Sequence, residues 1–137
     1  MLTSSVLHPP LLAALARAGH GTRVLIADGN FPCSSHSNPE AATIYLNLRP
    51  GTLTVDEVLD AVLSVVNVEH AVAMHPGDAP APAQDDYRRT LGDTVSFDQV
   101  ERYEFYQLAM AHDTAVVVAT GDQRTYANIL LTIGLAA

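Results

Sequence analysis

Apolar residues recur along this chain at two spacings, and the spacings alternate. In LLAALARAG (11–19), Leu11, Leu12 and Leu15 gather on one helical face. Pro9 and Pro10 precede them and suit a first turn, where a missing N–H does no harm, and Gly19 fits the residue just past the helix end. RVLIAD (23–28) is a short apolar run closed by Asp28 and reads as a buried strand. A turn-rich stretch (29–42) leads to a second possible strand, TIYLNL (43–48). Thr54-Val55-Asp56-Glu57 matches a capping box, and Val55, Val58, Leu59, Val62, Leu63 and Val66 follow at helical spacing. VEHAVAM (68–74) is strand-like, HPGDAPAPAQ (75–84) is a Pro-rich surface loop, and DDYRRTLGD (85–93) reads as a short polar helix. Residues 95–112 allow two readings. Ser96 and Gln99 could cap one long helix over 97–112, or a strand near 95–101 could precede a helix from about 103. TAVVVATG (114–121) is β-branched, apolar and ends on Gly121, as a buried strand does, whereas the run Ile129 to Ile133 is continuous and periodicity alone does not assign it.

Such alternation predicts an α/β sandwich with a mainly parallel sheet. A chain of 137 residues is the length of one domain, taken here as 1–137. Ligands in such sheets bind beyond the carboxyl ends of strands, so two points matter: Asp28, and the Thr120-Gly121 turn.

Charge narrows the choice of partner. There are 15 acids against 7 bases, a net −8, and every base is Arg. An acidic surface repels phosphate backbones and anionic lipid, which argues against nucleic-acid and membrane binding. No apolar run approaches bilayer length, and the N-terminal MLTSSVLHPP lacks the basic residue of a secretory signal, so a cytoplasmic protein is expected. The single Cys33 rules out an internal disulfide and a multi-cysteine zinc site.

The candidate chemistry is correspondingly sparse. The six histidines include no pair at ligand spacing, so no metal is expected. Neither a dinucleotide fingerprint nor a P-loop occurs, and no redox or nucleotide cofactor is implied. Cys33 and His36 share a loop, but a reactive thiol needs an electropositive setting that this chain scarcely offers; a small loop residue is the plainer reading. His20 lies in a helix-to-strand turn and Asp28 ends the strand, so one hinge and one strand could bring both to the same rim. An imidazole can give and take protons near neutral pH, and a neighbouring carboxylate can fix its tautomer or accept hydroxyls. The plainer alternative is a turn histidine and an aspartate capping backbone N–H groups. In ERYEFYQ (101–107), Tyr103 and Tyr106 share a helical face, as do Arg102 and Tyr106; core packing of the aromatics is the ordinary explanation. Tyr126 and Asn128 share a face if extended, offering a phenol and an amide.

In combination these segments carry more. GHG and AD within 19–28, Asn30-Phe31-Pro32, ERYEFYQLA (101–109), VVATG (117–121) and YANILL (126–131) follow one another in the order found in the RbsD/FucU family of sugar mutarotases and pyranases, which the chain resembles over most of its length. Its NFP and RYEFY segments are more similar to the L-fucose branch than to the ribose branch. The resemblance implies a three-layer α/β sandwich and a strand before the RYEFY helix, which favours the second reading of 95–112. It implies ring-shaped homo-oligomers whose sugar sites are completed by a neighbouring chain, with the apolar tail at an interface. Residue by residue it implies His20 and Tyr106 as the proton-transfer pair. Asp28, Met74, Arg102, Tyr126, Ala127 and Asn128 would contact a monosaccharide, L-fucose or a related sugar, without cofactor or metal. Ribose-type pyranose–furanose conversion, or sugar binding without catalysis, is the alternative. Residues 75–94 depart from the family pattern, and the stretch after Tyr106 is two residues longer than in relatives.

Overall fold

The computed structural model describes residues 1–136. Its ten elements run α1 (Pro9–Arg17), β1 (Arg23–Ala27), β2 (Ala42–Tyr45), α2 (Val55–Leu63), β3 (Val68–Met74), α3 (Pro82–Leu91), β4 (Ser96–Val100), α4 (Arg102–Met110), β5 (Thr114–Ala119) and β6 (Ile129–Ile133). The strands form one six-stranded sheet in the order β2-β5-β1-β6-β3-β4. β1, β2, β3, β4 and β5 run one way; β6, between β1 and β3, pairs antiparallel with both. The sheet is therefore mixed but mainly parallel. β6 is reversed because a parallel return needs a crossover of about a dozen residues or more, and the 120–128 connection is too short for one.

Pleating assigns alternate strand residues to two cores. Val24, Ile26, Val116, Val118, Ile129 and Leu131 face α1, α2 and α3, meeting Leu11, Leu15, Val58, Leu59 and Tyr87. On the opposite face Leu25, Ala27, Val117 and Leu130 meet Phe105 and Ala109 of α4, with Phe31 and Cys33 from the 29–41 segment. Helices thus cover both faces, three on one and α4 on the other, giving three layers.

The capping box at α2 forms in full. Thr54 accepts from the Glu57 amide at 3.2 Å, and the Glu57 carboxylate accepts from the Thr54 amide at 3.2 Å. Residues 95–112 divide into β4 and α4, and the unassigned Ile129–Ile133 run is a strand. Gly19 lies just past the cap of α1, as expected, although Ala18 is extended and Gly19 is not left-handed, and His8 caps the start of α1 by accepting from the Leu11 amide. One expectation fails locally. α3 begins at Pro82, inside the segment read as loop; Pro at the first helical turn was the signal. Among the described residues no helix is long and apolar enough to cross a membrane.

Candidate functional site

The topology delivers several chain segments to one edge. β1, β3 and β4 end there, β6 starts there, and these four strands are consecutive in the sheet. Asp28 follows β1, Met74 closes β3, Arg102 opens α4 just beyond β4, and Asn128 immediately precedes β6. A cavity of about 420 Å³ lies between them, lined by Asp28, Met74, Arg102, Tyr106, Tyr126 and Asn128 together with Asn30, Phe31, Pro32 and Thr125. That volume suits a small ligand.

Asp28 is the buried acid of this cavity, 4% exposed. Its Oδ1 accepts from the amides of Asn30 at 2.9 Å and Phe31 at 3.0 Å, and its Oδ2 from the Ala127 amide at 3.3 Å. Burial pushes its carboxyl above the usual range, and these three amides oppose the shift without cancelling it. A carboxylate has roughly four lone-pair sites, so capacity remains for a ligand hydroxyl. Asn128 Oδ1 accepts the Asp28 backbone amide at 2.7 Å, which fixes the Asn128 side chain against the end of β1.

Arg102 and Tyr106 stand one turn apart on α4. Arg102 Nε donates to the Tyr106 hydroxyl at 3.0 Å, and the guanidinium lies 5.5 Å from the phenol ring centre. Tyr103 is 72% exposed and is not core, whereas Phe105 fills the interior. Tyr126 adopts φ 56, a left-handed turn, so it does not share an extended face with Asn128; the turn itself brings both to the cavity. Ala127 is fully buried and its side chain is absent from the lining. It contributes backbone only, donating to Asp28 and accepting the Tyr87 hydroxyl at 2.7 Å.

Sequence reasoning missed the support beneath. Gln84, 1% exposed on α3, donates to the carbonyls of Met74 at 2.8 Å and Tyr126 at 3.0 Å, and accepts from Gln99 at 2.7 Å. It ties the end of β3 to the Tyr126 turn, and it lay in the segment read as loop. The preceding turn is pinned from the other side. Buried Asp122 accepts from the Val55 amide at 2.9 Å and from Arg124 at 2.7 Å; burial would raise its carboxyl, but those donors hold it below the usual range. Gly121 leaves no room for a side chain, since a Cβ would run into the carbonyl oxygens of Arg49 and Thr52.

His20 is not at this edge. It precedes β1, whereas Asp28 follows it, so the strand holds them roughly 20 Å apart or more at about 3.3 Å per residue. The expectation that a hinge and a strand bring both to one rim fails within a single chain, because a strand carries its two ends apart. His20 Nε2 instead meets the Glu69 carboxylate at 3.2 and 3.1 Å. It lies beside a cavity of about 510 Å³ lined by Leu15, Ala18, Val66, Ile133 and Leu135. Cys33 is buried, and burial pushes its thiol up to about 11, in keeping with a packing role. Among the described residues no group of three or more His, Cys, Asp or Glu could hold a metal ion.

The chain is 32% identical to the fucose mutarotase of Homo sapiens, over 97% of this chain and 92% of that one. It is 33% identical to D-ribose pyranase 2 of Streptomyces griseus, over 98% of each. The crystal structure of the fucose mutarotase from Streptococcus pneumoniae in complex with L-fucose superposes with a TM-score of 0.79 at 26% identity, covering 95% of this chain and 94% of that one. The model of the RbsD / FucU transport protein family matches residues 1–136, and the chain belongs to that family.

Proposed function

We propose that this protein is a monosaccharide mutarotase that interconverts the α and β anomers of L-fucose or a closely related sugar by opening and reclosing the ring. The observation that carries the reading is one cavity in which a buried carboxyl, a guanidinium-tethered phenol and a side-chain amide converge. Such a set suits a ligand covered in hydroxyls.

The chemistry demands little. A base takes the proton of the anomeric hydroxyl as its electrons form the aldehyde C=O. The bond from C1 to the ring oxygen breaks, and an acid protonates that oxygen. Rotation about C1–C2 and the reverse steps give the other anomer. Tyr106 is one proton-transfer group, and Arg102 orients its hydroxyl. Asp28 and Asn128 hold sugar hydroxyls, Met74 offers an apolar wall, and Tyr126 lines the edge; the backbone of Ala127 keeps the Asp28 carboxyl in position. The second proton-transfer group is His20 of another copy. A homo-oligomeric ring in which each cavity faces the amino edge of its neighbour supplies it, and the similarity to fucose mutarotases supports that reading. The NFP and RYEFY segments favour L-fucose over ribose. Because ring opening is common to both reactions, pyranose–furanose conversion at the same site is the second reading, favoured by the similarity to ribose pyranases.

Saturation-transfer NMR on L-fucose, D-ribose and D-galactose tests the proposal. Faster anomer exchange, greatest for L-fucose, is expected. Sugar binding without acceleration would overturn it.

A further inference from the structure

The Tyr106 hydroxyl can serve a proton transfer only if its ring is held still. Its hydrogen-bond tether comes from Arg102, whose side chain is exposed, so packing of the ring has to share in holding it. Three rings also touch it. Phe31 meets it edge-on at 5.6 Å and 69°, and Tyr103 edge-on at 6.2 Å and 80°. His36 is the nearest, at 4.8 Å, and its 50° tilt brings it closest to lying across the phenol.

The imidazole is itself fixed. Its Nδ1 lies 2.8 Å from Ser35 Oγ, and the His36 amide donates to the Pro32 carbonyl at 2.8 Å. Two residues on, the Asn38 side chain donates to the carbonyls of Thr114 at 3.0 Å and His112 at 3.3 Å, and its amide donates to Ala109 at 2.9 Å. The loop bearing His36 is therefore fastened to the end of α4 and the start of β5, the same framework that carries Tyr106.

We propose that His36 is a positioning residue whose ring braces the Tyr106 phenol and holds its hydroxyl toward the cavity. This rests on the reading of Tyr106 as a proton-transfer group. His36 does not line the cavity, so it acts through Tyr106 and not on the sugar. The brace is the flat ring and not its charge. A flat apolar ring can therefore replace it, and a shorter or non-planar side chain cannot.

The test uses the L-fucose exchange assay on the intact assembly. A reacting group displaced by a fraction of an ångström to one ångström loses about ten- to a hundredfold, so His36→Ala should lower kcat at least tenfold with KM within about twofold. His36→Phe should restore most of the rate. On a Tyr106→Phe background, His36→Ala should add no further loss, since the group it positions is gone. Should His36→Ala fail to fold, His36→Leu replaces it with the same expectation. An unchanged kcat, a loss confined to KM, no restoration by Phe, or an additive loss in the double variant would each overturn the inference while leaving the mutarotase reading intact. An absence of exchange in the unmodified protein would overturn that reading, and this inference with it.

Discussion

His20→Ala is expected to slow anomer exchange by about 10²–10⁴-fold, the usual worth of one positioned acid or base. The side chain is half exposed, and among the described residues its polar partner is Glu69, so its removal costs the chain little stability. The variant should therefore fold and assemble like the unmodified protein. Sedimentation and saturation-transfer NMR on the same sample separate these outcomes. A variant that assembles normally yet exchanges L-fucose anomers at the original rate would remove His20 from the mechanism.

Tyr106→Phe should cost a comparable factor, in kcat and scarcely in KM. The substitution deletes one oxygen and keeps the ring, so the contacts with Phe31, Tyr103 and His36 persist. What disappears is the proposed proton carrier and the acceptor of the Arg102 bond. Sugar binding through Asp28 and Asn128 should survive, measurable by calorimetry. If kcat were retained while KM rose, Tyr106 would be a binding group and the proton would have to travel elsewhere.

Much of this was legible in the chain because local signals agreed with the tertiary outcome. VEHAVAM is β3 from end to end, and the Thr54–Glu57 box starts α2 where the spacing demands. The failures are cases where distant contacts decide. Ile129–Ile133 is apolar at every position but Thr132 because a strand between β1 and β3 is buried on both faces, which erases the alternation. The start of α3 was hidden in a Pro- and Ala-rich segment whose helical signal was Pro82 alone. Gln84 could not be singled out, since its importance lies in two carbonyls, one ten and one forty-two positions away. Asp28, Arg102, Tyr106 and Asn128 were visible as residue types and line one cavity. His20 does not join them, because a strand in the sequence is a fixed distance in space. An isolated chain therefore holds half of the proposed proton machinery at each edge of its sheet.

Mixing the two variants tests that division most directly. When His20→Ala and Tyr106→Phe chains are denatured together and co-assembled, random pairing unites an intact phenol with an intact imidazole from a neighbour at about a quarter of the sites. Exchange of L-fucose anomers should then recover to about that fraction of the unmodified rate. If the mixed assembly stays as inactive as its parents, the two groups do not meet across a subunit boundary and the shared site is refuted.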